Sequence, residues 1–120
     1  MTESALNSLP FEWLKTDRDE PYGRLRLQTE PYCVELIQLE SNTTYTPHYH
    51  NHVDASFHFL CGRGDVHIDG QKHSIKKGLV LEVPKKCYHG FTTQSKVTFL
   101  SIQTSPIYNE DEDHLDLHYA

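Results

Sequence analysis

Nowhere does the chain offer a run of about 18 apolar residues, so no membrane-spanning helix is expected. Positive charge is scarce: 11 Lys and Arg stand against 17 Asp and Glu, a formal net charge of -6. That balance argues against a duplex nucleic-acid binder, which needs a basic footprint. The local strip Lys76, Lys77, Lys85 and Lys86 reads as two solvated turns. Cysteine is scarce too. Cys33, Cys61 and Cys87 are an odd set at no paired spacing, which predicts free thiols in a reducing, cytoplasmic setting. The opening MTESALNSLPFEWLK lacks the basic-then-apolar order of a secretory signal. No internal repeat and no long helical period are present.

What remains favours strands. The 120 residues point to one domain, long enough to bury a core without staples. Seven Tyr, five Phe and many Val, Ile and Thr suit a pleated surface. Residues 1–22 read as a lead-in arm with Thr16 to Glu20 a charged loop, 23–105 as the β domain, and 106–120 as an acidic tail. Within that tail, Asn109 to Asp113 is expected to be exposed. Leu25 and Leu27 alternate with Arg24, Arg26 and Gln28. Ala55 to Cys61 is apolar and aromatic, as in a buried strand. Gly62-Arg63-Gly64 is a tight turn, and Asp69-Gly70 is the strongest hairpin signal. About nine or ten short strands at close spacing describe a sandwich, barrel or jelly roll.

Chemistry concentrates in Pro47-His48-Tyr49-His50-Asn51-His52-Val53-Asp54. Imidazoles at i and i+2 on an extended strand share a face, and Tyr49 falls on the other. Two neutral imidazoles side by side are half of a transition-metal site. His89, far along the chain, is the candidate third ligand. On its own, however, the segment is equally compatible with a polar loop.

The second segment adds a pattern. Gly78, five residues, Pro84, four residues and His89 resemble the second motif of the cupin family, G-x5-P-x-G-x2-H-x3-N. The first cupin motif, G-x5-H-x-H-x3,4-E-x6-G, lines up on Asn42, His48, His50 and Gly62. The resemblance covers about residues 23 to 105. It implies an all-β, double-stranded β-helix of the jelly-roll kind, with the metal inside the barrel. Three positions depart from the motifs: Asn42 and Lys86 stand where Gly is usual, and Thr93 where Asn is usual. The acidic ligand is also displaced. Counting forward from His50 gives Asp54, whereas counting back from Gly62 gives Ala55. A one-residue slip on a strand flips a side chain to the opposite face. Asp54 therefore joins His48, His50 and His89 only if a bulge or the strand entry re-aims it. A three-histidine site resembles those of cupin-like thiol and diketone dioxygenases. Such a site would favour one divalent transition metal, Fe, Zn, Ni, Mn or Cu, over Mg²⁺ or Ca²⁺.

The other histidines have blander expectations. His52 is exposed or supports the pair. His58 is a buried ring donating to a backbone carbonyl. His67 and His73 face solvent. His114 and His118 would share a face if the tail were helical, leaving a second metal site there only a remote option. Cys61 and Cys87 act as small buried hydrophobes. The family resemblance implies a metal-dependent enzyme on a small organic molecule (dioxygenase, isomerase, decarboxylase or lyase), with three histidines tilting toward iron and oxygen. The alternative is a non-catalytic small-molecule-binding or structural-metal module, and a third, lesser option is a metal-free sugar-nucleotide isomerase that uses His and Tyr as base and acid. A homodimer is expected through the Gly23 to Leu39 segment, taken as an exposed edge.

Overall fold

The computed structural model describes residues 2–109 and 114–119. A short helix, α1 (Glu3–Asn7), is opened by Thr2, whose hydroxyl accepts from the Ala5 amide at 3.1 Å. Strands follow: β1 (Glu12–Lys15), β2 (Pro21–Gln28), β3 (Cys33–Leu39), β4 (Thr44–Tyr49), β5 (Ala55–Cys61), β6 (Gly64–Ile68) and β7 (Gln71–Ser74). The rest are β8 (Val80–Val83), β9 (His89–Thr93), β10 (Val97–Gln103), β11 (Tyr108–Asn109), β12 (His114–Leu115) and β13 (His118–Tyr119). Two antiparallel sheets result, ordered β1-β2-β3-β10-β5-β8 and β13-β4-β9-β6-β7, with β11 and β12 paired separately. This is the jelly-roll barrel that strand spacing and motifs implied.

Alternation decides which residues fill the barrel. On β5, Ala55, Phe57 and Phe59 are buried while Ser56 and His58 are half-buried on the outer face. On β10, Val97, Phe99, Ser101 and Gln103 are all buried and share one parity. Phe57, Phe59, Phe91 and Phe99 form the aromatic centre, with Phe91 stacked on Phe99 at 5.6 Å. Each such ring contributes roughly 1.5–3 kcal/mol by leaving water.

β2 inverts the polarity that its composition suggests. Arg24 is only 8% exposed, whereas Leu27 is 56% exposed. The cause lies on the neighbouring strand. Glu35 is buried on the inner face of β3 and accepts from Arg26 Nε at 2.8 Å, with Arg24 Nε at 3.9 Å. A buried carboxylate needs paired charge beside it. Leu25, Leu36 and Leu100 then form an in-register row across the outer face.

The lead-in arm is more ordered than expected. β1 pairs with β2 in register from Glu12↔Arg24 to Lys15↔Pro21, so the boundary drawn at residue 22 falls inside a strand. The Thr16 to Glu20 segment is the expected loop, closed by Thr16 N donating to Glu20 O at 2.9 Å. The arm also changes the edge. β2 and β3 lie between β1 and β10, and β1 covers β2 over Pro21 to Arg24, so only Leu25 to Gln28 of the expected edge lacks a partner strand on that side. Within the tail, residues 114–119 form β12 and β13, and β13 joins β4. Residues 110–113 of the acidic run lie outside the described residues.

The motif departures keep the backbone they replace. Asn42 and Lys86 both adopt positive φ, 51° and 66°. Asn tolerates this region, while Lys is strained there by roughly 1–2 kcal/mol. Lys86 is held by its amide donating to His50 O at 2.6 Å. Thr93 donates from Oγ1 to Glu40 O and accepts from Thr43 N at 3.0 Å, tying down the turn before β4. Gly62, by contrast, has φ 108° and a Cβ there would lie 2.4 Å from Lys96 O. Lys86→Gly is therefore expected to stabilise the protein by about 0.5–1 kcal/mol. Gly62→Ala should destabilise it by about 3 kcal/mol or more. Urea denaturation midpoints of the two variants test the opposite signs.

Candidate metal centre

His48 and His89 are direct cross-strand partners on β4 and β9. Their meeting depends on an irregularity. Between Tyr45↔Phe91 and His48↔His89, β4 advances three residues and β9 only two. The extra residue is a bulge at Thr46-Pro47, which lets Tyr45 and His48 both line the interior despite opposite parity. Proline suits this place because a bulge needs no ladder donor. Gly90 permits the close approach, since a Cβ there would sit 2.8 Å from Tyr45 O.

His50 follows β4 and turns back to the same spot. Ring centroids are 4.3 Å apart for His48 and His89, 4.9 Å for His50 and His89, and 5.3 Å for His48 and His50. One ring nitrogen from each lies within 4.8 Å of the others. Every Nδ1 faces a backbone carbonyl: His48 to Thr46 at 3.0 Å, His50 to Asp116 at 2.5 Å, and His89 to Cys87 at 3.0 Å. A carbonyl can only accept, so each Nδ1 carries the hydrogen and each Nε2 keeps its lone pair. Burial keeps the rings neutral. It lowers His48, takes His50 down to about 4 and puts His89 well below the ordinary histidine range, with repulsion from the neighbouring rings added at His50 and His89. Three neutral nitrogen donors on three fixed tautomers are a donor set that fits a divalent transition metal.

Asp54 does not join them. Its carboxylate is turned outward, accepting from the Lys85 amide at 2.8 Å. The one-residue slip thus leaves its side chain to cap a turn. His52 is exposed and takes part only through its amide, which donates to Asp116 Oδ2 at 2.8 Å. His58 differs from expectation: Nε2 meets the Ser56 hydroxyl at 3.1 Å on the outer face, not a carbonyl. His67 and His73 are half-buried on β6 and β7. His114 and His118 lie on short strands rather than one helix face, which removes the i, i+4 argument for a second site. Tyr49 points away from the triad and packs on Tyr88 at 4.9 Å. Cys87 is buried, and burial pushes its thiol up to about 11.

Sequence reasoning missed Asp116. It is 2% exposed, and its carboxylate accepts from the Asn51 and His52 amides at 2.9 and 2.8 Å. His118 Nε2 meets the same carboxylate at 2.9 Å. Asp116 therefore braces the histidine loop with its side chain and orients His50 with its carbonyl. No local pattern marks it, because the partners are about 65 residues away. Also missed was a polar wall of Arg24, Glu35, Ser101 and Gln103 lining the same cavity as the triad, which holds about 100 Å³. Its signal was available: Ser101 and Gln103 are in phase with Phe99.

Neutral burial has a sign in pH. Unfolded imidazoles take up protons near pH 6.5, the folded His50 only near 4, so the unfolded state binds more protons between those values. Metal-free protein should lose stability as pH falls through that window, by about 3 kcal/mol from His50 alone. Asp116 adds nothing there: burial pushes its carboxyl up, the Asn51 and His52 amides outweigh it, and the resulting low value confines its loss to stronger acid. Urea midpoints of chelator-treated protein at pH 7, 6, 5 and 4 measure this, and a flat profile contradicts it.

Comparison with known proteins bears on the family. A family model described as Cupin domain matches residues 35–103. An uncharacterized protein of Aquifex aeolicus (strain VF5) is 33% identical over 67 residues, covering 56% of this chain and 55% of that one. The chain thus matches about half the length of that curated relative. Among solved structures, KdgF from Halomonas sp. matches with TM-score 0.68 and 18% identity over 84% of this chain and 90% of that one. A predicted oxalate decarboxylase from Thermotoga maritima gives 0.70 and 16% over 83% and 96%. Salicylate 1,2-dioxygenase from Pseudoaminobacter salicylatoxidans gives 0.62 and 15% over 69% and 26%. At these identities the structures speak to fold alone, and the sequence match supplies the rest: the chain belongs to the cupin family.

Proposed function

We propose that this cupin is an enzyme acting on a small organic molecule at one divalent transition metal held by His48, His50 and His89. The observation that carries the reading is the shared tautomer: three Nδ1 atoms tied to carbonyls leave three Nε2 lone pairs at one end of a cavity. A metal bound there would supply Lewis-acid or redox chemistry, with positions left over for substrate.

The chain's own residues do the remainder. Phe57, whose ring lies 5.8 Å from that of His89, and Phe91 and Phe99 make the floor that excludes water. Ile107 and Leu117 close the cavity from the C-terminal segment. Thr46 holds His48 and is itself pinned by Glu20, which accepts from its amide at 2.9 Å. Ser101, Glu35 and Gln103 form a polar wall on the opposite sheet that orients a bound molecule. The triad brings no carboxylate with it, which favours a borderline metal over Mg²⁺ or Ca²⁺. Dioxygenase chemistry with iron is the finer form of this proposal, and one structural relative bears that name. The free thiols suit the cytosol.

Untagged protein should carry about one equivalent of transition metal by plasma mass spectrometry. His48→Ala and His89→Ala should lose it, and Asp54→Ala should keep it. Failure to bind Fe²⁺, Zn²⁺, Ni²⁺, Mn²⁺ or Cu²⁺ overturns the reading. Asp116→Ala, which frees the loop and strands two amides, should lower metal affinity about 10–100-fold in a competitive chelator titration.

A further inference from the structure

Gln103 is 1% exposed and lines the cavity. Its Nε2 donates to Glu35 Oε1 at 3.1 Å and to Ser101 Oγ at 2.8 Å. Glu35 can only accept, so the amide orientation is settled and Oε1 is the other end. That oxygen is buried with no hydrogen-bond partner, one of two such side-chain atoms among the described residues. Buried acceptors are ordinarily satisfied, so an orphan in a cavity wall marks where a donor is expected.

The surroundings narrow the donor. Glu35 is paired with Arg26, and Arg24 with Glu12 at 2.7 Å. The wall itself carries one charge of each sign, Glu35 and Arg24, and the Arg24 guanidinium disfavours an ammonium. A neutral hydroxyl fits. The location follows from register: Ser101 is the cross-strand partner of Phe57, whose ring contacts His89. Polar wall and triad therefore face one another across one space. At the triad, three neutral imidazoles leave a divalent ion's charge uncompensated, which favours an anionic oxygen.

We infer that Gln103 is a specificity-determining residue whose orphan carbonyl oxygen accepts a hydrogen bond from the hydroxyl of a small hydroxylated organic acid, its carboxylate lying toward the three histidines. This rests on the metal reading above. The intervening rings suit a short aliphatic or unsaturated backbone, and about 100 Å³ limits it to a handful of heavy atoms.

The test uses nickel-loaded wild-type protein, with metal content measured on the same sample, titrated calorimetrically with butanoate and with 2-, 3- and 4-hydroxybutanoate. At least one hydroxy acid should bind about tenfold tighter than butanoate. Its methyl ether, which cannot donate, should lose that gain. Gln103→Met should show no hydroxyl advantage over butanoate measured on the same variant. Hydroxy acids that bind no tighter than butanoate, or an advantage that survives in Gln103→Met or the ether, overturn the assignment. If neither nickel nor Fe²⁺, Zn²⁺, Mn²⁺ or Cu²⁺ is taken up, the metal reading itself falls. One equivalent of nickel with no hydroxyl advantage overturns only the ligand.

Discussion

Three hydrogen bonds from imidazole Nδ1 atoms to backbone carbonyls govern what this barrel can do. The carbonyls of Thr46, Cys87 and Asp116 belong to three separate stretches of chain. Each is fixed by something larger: a bulge in β4, the turn entering β9, and the C-terminal segment laid against β4. Because a carbonyl has no proton to give, which nitrogen of each neutral ring carries the hydrogen is set by backbone geometry. Side-chain chemistry is thereby made a property of the fold. Burial then reinforces the same state, since a charged imidazole in this cavity would be both desolvated and repelled by its neighbours.

The C-terminal segment links stability to the site. Asp116 touches the triad through its carbonyl and the loop through its carboxylate, so docking the segment and shaping the site are one event. Leu117 closes the cavity from the same segment. Separating it would leave the Asn51 and His52 amides unpaired and His50 free to rotate. Hydrogen bonds from those two amides to a carboxylate are stronger than neutral ones and help keep the segment seated. A short strand pair of two residues could not hold it alone, as β13 meets β4 only at His118↔Tyr49 and Tyr119↔His48.

Much of the barrel was legible because its signals are local. Turn residues, alternation on β5 and motif spacing are read within a dozen residues. His48, His50 and His89 were legible because two such patterns coincide. What escaped was nonlocal. The inward Arg24 and outward Leu27 of β2 depend on Glu35, a residue of the next strand. Asp116 sits in an acidic run whose composition reads as solvated tail, and only its distant partners make it structural. The edge assigned to Gly23–Leu39 is shortened for the same reason, because β1 pairs with Pro21 to Arg24 from within what looked like an arm.

Asp54 shows the limit most sharply. Composition offered an acid near the place where cupins carry one, and only the count from Gly62 argued against it. The structure gives that carboxylate a different task, accepting from Lys85 N at the turn into β9. Lys86, one residue on, holds φ 66° where the family motif has glycine, and its amide is bonded to His50 O. The turn is thus secured from two sides, by Asp54 and by the histidine loop itself. A carboxylate that in other cupins would face the metal here offsets the missing glycine, and the same turn carries Cys87, whose carbonyl orients His89. The departures from the motif are coupled: the strained lysine, the outward aspartate and the three-nitrogen site belong to one local solution.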